Sequence, residues 1–175
     1  MNKMKCEYKI IDNVLPEELY VSTKNNFLEQ AMFPWFYNNF KVSESFNLND
    51  YQFTHLFYRD YAVRSELFQI VEPIVRYLNP EALIRIKANL NTRTDVRHVF
   101  DYHVDFNSKS NGRKTAIYYV NTNNGVTIFE DGTEIESIGN RLVIFDQNTL
   151  HTGTTCTDQK VRCLINFNYI ERCDD

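Results

Sequence analysis

The second half of the chain is a run of short strand-like segments cut by turn residues, and this pattern restricts the fold more than any other feature. Over residues 84–93 apolar and polar residues alternate strictly. Ile84, Ile86, Ala88 and Leu90 share one face; Arg85, Lys87, Asn89, Asn91 and Arg93 share the other. That is the period of a strand. Further strand-like segments follow near residues 96–105, 115–121, 126–130, 133–137, 141–145 and 161–170. Asn124-Gly125, Asp131-Gly132 and Gly139-Asn140 separate them, and Asp-Gly between short strands is a strong hairpin signal. So many short strands predict a sandwich or barrel.

The first half mixes helix and strand. Residues 7–14 read as a short strand. Pro16 then opens a helix to about residue 30, with Glu17 and Glu18 at its positive end. Residues 31–50 break the pattern and are rich in aromatics and Asn. Phe33 to Phe40, with Trp35, reads as core, with a lid as the alternative and Tyr37 as its exposed member. Residues 61–78 place Leu67, Ile70, Val71, Ile74, Val75 and Leu78 at helical spacing, with Pro73 as a kink and Asn79-Pro80 as the stop. The fold class expected is α+β, mainly β: a double-stranded β-helix (jelly roll) with the N-terminal helices packed outside it. One domain spans residues 1–175, residues 1–82 as support and lid and 83–170 as the jelly-roll core, a length that suits a single core.

The chain has 175 residues, 43% hydrophobic, and a formal net charge of −4. This balance argues against a general nucleic-acid binder. No segment is apolar enough to span a membrane and no signal peptide is apparent, so a cytoplasmic location is expected. Cys6, Cys156, Cys163 and Cys173 form no Cys-x-x-Cys pair or zinc spacing; Cys163 reads as a small core residue.

His103, Asp105 and His151 are the residues that carry chemistry. His103-Val104-Asp105 puts two ligand side chains on one face of a strand. His151, about four strands on, returns opposite them in a jelly roll. Two imidazoles and a carboxylate form a facial triad suited to Fe(II), which leaves positions open for a cosubstrate and O₂. Arg162 opens the last apolar strand, and inside a barrel its charge calls for an anionic partner. On that strand Arg162, Leu164, Asn166 and Asn168 share a face, and the two Asn are candidate site polar groups that need hydrogen-bond partners. Residues Arg85 to Arg93 on the polar face of the alternating strand are read as a solvated sheet face, with attraction of an anionic or peptide substrate as the alternative. His55 is read as a structural histidine in a strand, and His98, on the opposite parity to His103, is not proposed as a ligand.

The order His-x-Asp, strands, His, Arg resembles the 2-oxoglutarate/Fe(II) dioxygenases, specifically the prolyl-4-hydroxylase-like branch, which includes small bacteriophage-encoded forms. The resemblance runs over residues 83–169 and includes Thr115 to Asn121, Asn124 to Gly132, Asn140 to Asp146, His151-Thr152-Gly153 and Arg162 to Tyr169. It implies that His103, Asp105 and His151 bind Fe(II), that Arg162 pairs with the distal carboxylate of 2-oxoglutarate, and that Tyr119 hydrogen-bonds that carboxylate. Ile117 and Val126 match apolar residues of the cosubstrate pocket. The implied reaction is hydroxylation of a C–H bond of a peptide, protein or small molecule, consuming 2-oxoglutarate and O₂ and releasing succinate and CO₂. The second Arg of the nucleic-acid repair branch is replaced here by Asn168, which counts against that type. Rival readings are a non-redox, cupin-like metal-binding module and a nucleic-acid-directed dioxygenase.

Overall fold

The computed structural model describes residues 6–41, 48, 50–106 and 112–172. The chain opens with β1 (Tyr8–Ile11) and α1 (Glu17–Leu28), then β2 (Phe36–Asn38), β3 (Gln52–Arg59) and β4 (Ala62–Val63). A 3₁₀ turn (Phe68–Ile70) and α2 (Glu72–Leu78) precede β5 (Ala82–Thr92) and β6 (Arg113–Tyr119). Then come β7 (Asn123–Phe129), β8 (Glu134–Ser137), β9 (Arg141–Asp146), β10 (His151–Gly153) and β11 (Val161–Ile170).

The strands form two antiparallel sheets. The larger runs β1-β9-β6-β11-β5-β3-β2, with β4 beside β3; the smaller runs β10-β7-β8. This is the jelly roll, mainly β, that the strand pattern predicts. Strand parity assigns each residue of the large sheet to one of two buried environments. On β11, Cys163, Ile165, Phe167 and Tyr169 join Phe27 of α1 and Ile74 of α2 in the outer core. Leu164 faces the other way, into a smaller cluster with Tyr119, Val143, and Phe129 and Ile135 of the small sheet. Both faces of β11 are therefore covered, the outer by apolar packing and the inner with Arg162, Asn166 and Asn168 beside Leu164.

Asp131-Gly132 makes the β7–β8 hairpin, with Gly132 at φ +91°, a region open to glycine. At the next turn Asn140 adopts φ 64° and also clamps the N-terminal chain. Its Nδ2 donates to the Leu15 carbonyl at 2.8 Å, and its Oδ1 accepts from Leu15 N at 2.9 Å and from the Tyr118 hydroxyl at 3.0 Å.

Three sequence expectations change. Residues 61–78 are not one helix. The chain turns from β3 into β4 with Asp60 and Tyr61 at positive φ, and α2 begins only at Glu72. Pro73 lies in the first turn of α2 and does not kink a longer helix; a missing N–H costs nothing there, so helix starts there. Residues 96–105 form no strand, only isolated bridges between Val99 and Thr154 and between His103 and His151, beside a β10 that is only three residues long and ladders with β7. Asn124-Gly125 is not a turn but lies inside β7, at a register shift between Asn123 and Val126.

Candidate active site

A cavity of about 280 Å³ opens between the two sheets. Three of its wall residues carry ligand atoms that all lie within 4.8 Å of one another: His103, Asp105 and His151. The two histidines hold each other in place. His103 N donates to the His151 carbonyl at 2.9 Å and His151 N to the His103 carbonyl at 3.0 Å. The His151 Nδ1 lies 2.9 Å from the Thr149 carbonyl. A carbonyl only accepts, so Nδ1 carries the proton and Nε2 is left as the ligand atom. Burial, and then the neighbouring His151, lower the pKa of His103, which favours the neutral imidazole a metal needs.

Asp105 is set by its surroundings. Its Oδ1 accepts from Arg85 at 3.0 Å; its Oδ2 accepts from Thr115 Oγ1 at 3.0 Å and from Asn168 Nδ2 at 2.8 Å. Burial pushes its carboxyl upward, but the Arg85 guanidinium, the two imidazoles and the Asn168 amide outweigh it and hold it at about 2. A carboxylate offers about four lone-pair sites, so these three hydrogen bonds leave room for a single metal bond. The donor set, its spacing and the fixed His151 tautomer fit a divalent metal of the Fe(II) type.

Arg162, 1% exposed, forms one end of the cavity wall. Its Nε donates to Ser137 Oγ at 2.9 Å and its Nη2 to Thr127 Oγ1 at 3.1 Å, while its guanidinium lies 5.7 Å from the Tyr119 ring. No carboxylate pairs with it among the described residues. A buried cation without a counter-charge is costly, and a dicarboxylate entering the cavity supplies one. The bulge in β7 makes room for it: a Cβ on Gly125 would sit 2.5 Å from Arg162 Cδ, and one on Gly153 3.2 Å from Nη1.

The other predicted residues are placed as follows. Ile117 and Asn166 line the cavity. Val126 is buried, off its lining. The Tyr119 hydroxyl donates to Thr127 Oγ1 at 2.8 Å, so it stands behind the wall. Thr127 accepts from both Tyr119 and Arg162, which turns its own proton toward the cavity it lines. Asn168 stands behind Asp105 and braces it. His55 is buried in β3 between the Pro34 carbonyl and Ser65 Oγ, at 2.8 and 2.7 Å, as a structural histidine. Phe33 and Trp35 pack on the outer core, while Phe36 and Tyr37 lie exposed on the edge strand β2. Cys6, Cys156 and Cys163 are free thiols, and Cys173 lies outside the described residues.

The polar face of β5 requires a correction. Arg85, Lys87, Asn89 and Asn91 are not a solvated sheet face; they line the cavity. Alternation identifies two faces of a strand but not which of them meets water. The register explains the inward choice. Asn91 pairs with Arg162, and Lys87 with Asn166, on the neighbouring β11. Lys41, which no sequence signal marked, also reaches the cavity, with its Nζ 3.0 Å from the centre of the Phe100 ring. Burial, and then Arg162, depress the Lys41 ammonium well below its ordinary value; burial and then Arg85 bring Lys87 to about 8.

No family model matches the sequence, and no curated protein matches it. Solved structures do share its fold. A prolyl-4-hydroxylase from Pseudomonas putida superposes with a TM-score of 0.60 at 14% identity, over 96% of this chain and 94% of that one. The viral collagen prolyl hydroxylase of Paramecium Bursaria Chlorella virus-1 covers 98% of this chain and 100% of its own, with a TM-score of 0.57 at 12% identity. HygX from Streptomyces hygroscopicus, solved with nickel, 2-oxoglutarate and hygromycin B bound, gives 0.58 at 10% identity, over 95% of this chain and 83% of that one. The chain therefore has the jelly-roll fold of these oxygenases. No helix among the described residues is long and apolar enough to cross a membrane.

Proposed function

We propose that this protein is an Fe(II)- and 2-oxoglutarate-dependent dioxygenase that hydroxylates a C–H bond of a peptide, protein or small molecule. One observation carries the reading: the His103–Asp105–His151 cluster and the buried Arg162, which has no carboxylate partner among the described residues, line the same cavity. Iron(II) and 2-oxoglutarate, when bound, supply O₂ activation coupled to release of succinate and CO₂.

The chain's own residues supply geometry and charge. His103 and His151 present imidazole nitrogens from a bridged pair of backbones, and Asp105 adds one negative charge. Arg85, Thr115 and Asn168 fix the carboxylate so that it does not rotate between ligating and non-ligating positions. Arg162, held by Ser137 and Thr127, receives the distal carboxylate of the cosubstrate, with the Thr127 hydroxyl as a further donor and Ile117 as an apolar wall. Tyr119 acts at one remove, by orienting Thr127.

The test is anaerobic titration of the Fe(II)-loaded protein with 2-oxoglutarate, followed by the visible charge-transfer band of the chelate. Wild type is expected to develop the band, and Arg162→Ala to develop it only at concentrations at least tenfold higher. Folded, iron-loaded wild type that shows no band would overturn the proposal in favour of a non-redox metal-binding module. Tight, salt-sensitive binding of DNA or RNA would redirect it to a nucleic-acid substrate.

A further inference from the structure

The cavity carries more positive charge than the proposed metal and cosubstrate use. Arg85, Lys87 and Arg162 line it, against the single carboxylate of Asp105, with Lys41, whose charged form burial disfavours, as a fourth basic group. A metal dication and a 2-oxoglutarate dianion cancel each other, so the excess persists in the loaded protein. It does so in a chain whose formal net charge is −4. Two of the four basic groups already have tasks: Arg85 is paired with Asp105 at 3.0 Å, and Arg162 is assigned above to the cosubstrate. Lys87 and Lys41 have no carboxylate within salt-bridge distance among the described residues.

Lys87 is placed by the strand and not by a flexible loop. It lies on β5 between Arg85, which braces Asp105, and Asn89, opposite Asn166 of β11. Position 91, opposite Arg162, is about 13 Å farther along the strand at ~3.3 Å per residue. The Lys87 backbone therefore belongs to the metal end of the cavity, where a substrate must present its reacting bond. Around it, the Oδ1 atoms of Asn89 and Asn166 are buried without a hydrogen-bond partner among the described residues. Buried amides of this kind are normally satisfied, and a polar ligand at this wall satisfies them.

We propose, building on the dioxygenase reading, that the substrate is a small molecule whose carboxylate or phosphate is held by Lys87, with Lys41 of the same cavity adding to the basic wall and the Asn89 and Asn166 Oδ1 atoms accepting from hydroxyl or N–H groups of the same molecule. The cavity, about 280 Å³, lies at the small end of ligand-site volumes, which suits a compact anion beside the cosubstrate.

The probes are inorganic phosphate, acetate and neutral acetamide, titrated calorimetrically into the anaerobic protein loaded with Fe(II) and 2-oxoglutarate. Wild type is expected to bind phosphate or acetate and not acetamide, and the preferred anion identifies the group. Lys87→Gln is expected to weaken that binding at least tenfold, Lys87→Arg to restore it in part, and Lys41→Gln to weaken it by a smaller factor. The chelate band, recorded on the same samples, is expected to persist in Lys87→Gln. Absence of anion binding to wild type, or equal binding by Lys87→Gln, overturns the proposal. So does loss of the band in Lys87→Gln, because Lys87 then belongs to the cosubstrate site. A wild type that binds anions through Lys87 but gives no band overturns the dioxygenase reading alone. Should Lys87→Gln fold poorly, Lys41→Gln and Lys87→Arg carry the comparison.

Discussion

Asp105 shows how a single residue's role depends on what stands behind it. Its two oxygens are held by Arg85, Thr115 and Asn168, and partners of this kind typically change metal affinity about 10–100-fold. Asn168→Ala is accordingly expected to weaken Fe(II) or Ni(II) binding by about that factor, measured by competition with a chelator, with 2-oxoglutarate affinity of the metal-saturated protein little changed. An unchanged metal affinity would show that Thr115 and Arg85 suffice. A second residue-scale prediction concerns Asp131, whose carboxylate accepts from Cys6 N and Thr133 N at 2.9 Å each. Those two backbone bonds hold its carboxyl at about 2, below the ordinary range. Because the folded-state value is lowered, the stability it contributes is present above pH ~4 and is lost as pH falls toward 2. Carboxyl NMR titration is expected to place its midpoint near 2; a midpoint near 4 would mean that the tie to Cys6 does not persist in solution.

At the scale of elements, β7 and the turn at Asn140 do work that their sequences do not announce. Asn124-Gly125 has turn composition, yet it sits within a strand because Arg162 needs the space that a Cβ at Gly125 would fill. Gly125→Ala is expected to displace the guanidinium and raise the 2-oxoglutarate dissociation constant at least tenfold, with an overpacking cost of about 1–3 kcal/mol. Calorimetric titration of the metal-loaded variant checks this. Unchanged cosubstrate affinity would show that the β7 backbone yields instead. Asn140 ties β9 to the segment between β1 and α1 through Leu15. Replacing it by Ala leaves buried backbone groups without partners and puts a Cβ residue at φ 64° without the local side-chain bonds of Asn, so a loss on the order of 3 kcal/mol is expected in urea unfolding.

Across the whole molecule, one large sheet separates two interiors with different chemistry. Its outer face, with Phe57, Ile86 and Phe167, is apolar and closed by Phe27 of α1 and Ile74 of α2; its inner face carries Arg85, Lys87, Arg162 and the amides of Asn89, Asn91 and Asn166, toward the cavity that His103, Asp105 and His151 also line. Phe57→Ala, in the outer core, is expected to cost about 3–5 kcal/mol in unfolding free energy while the chelate band of surviving folded protein stays intact. Concurrent loss of the band would show that the two interiors are coupled. The sequence by itself determined the places of β5, β6, β8, β9 and β11, the Asp131-Gly132 hairpin, the structural place of His55, and the His103, Asp105, His151 and Arg162 candidates, because these follow from period-two alternation, turn chemistry and residue type, which are local properties. Only the tertiary structure decided that the polar face of β5 turns inward, that Lys41 meets Phe100, that the Tyr119 hydroxyl donates to Thr127, and that Asn168 braces Asp105. Alternation gives a strand two faces without saying which one another sheet will cover, and a hydrogen bond between residues 63 positions apart has no trace in the spacing of either.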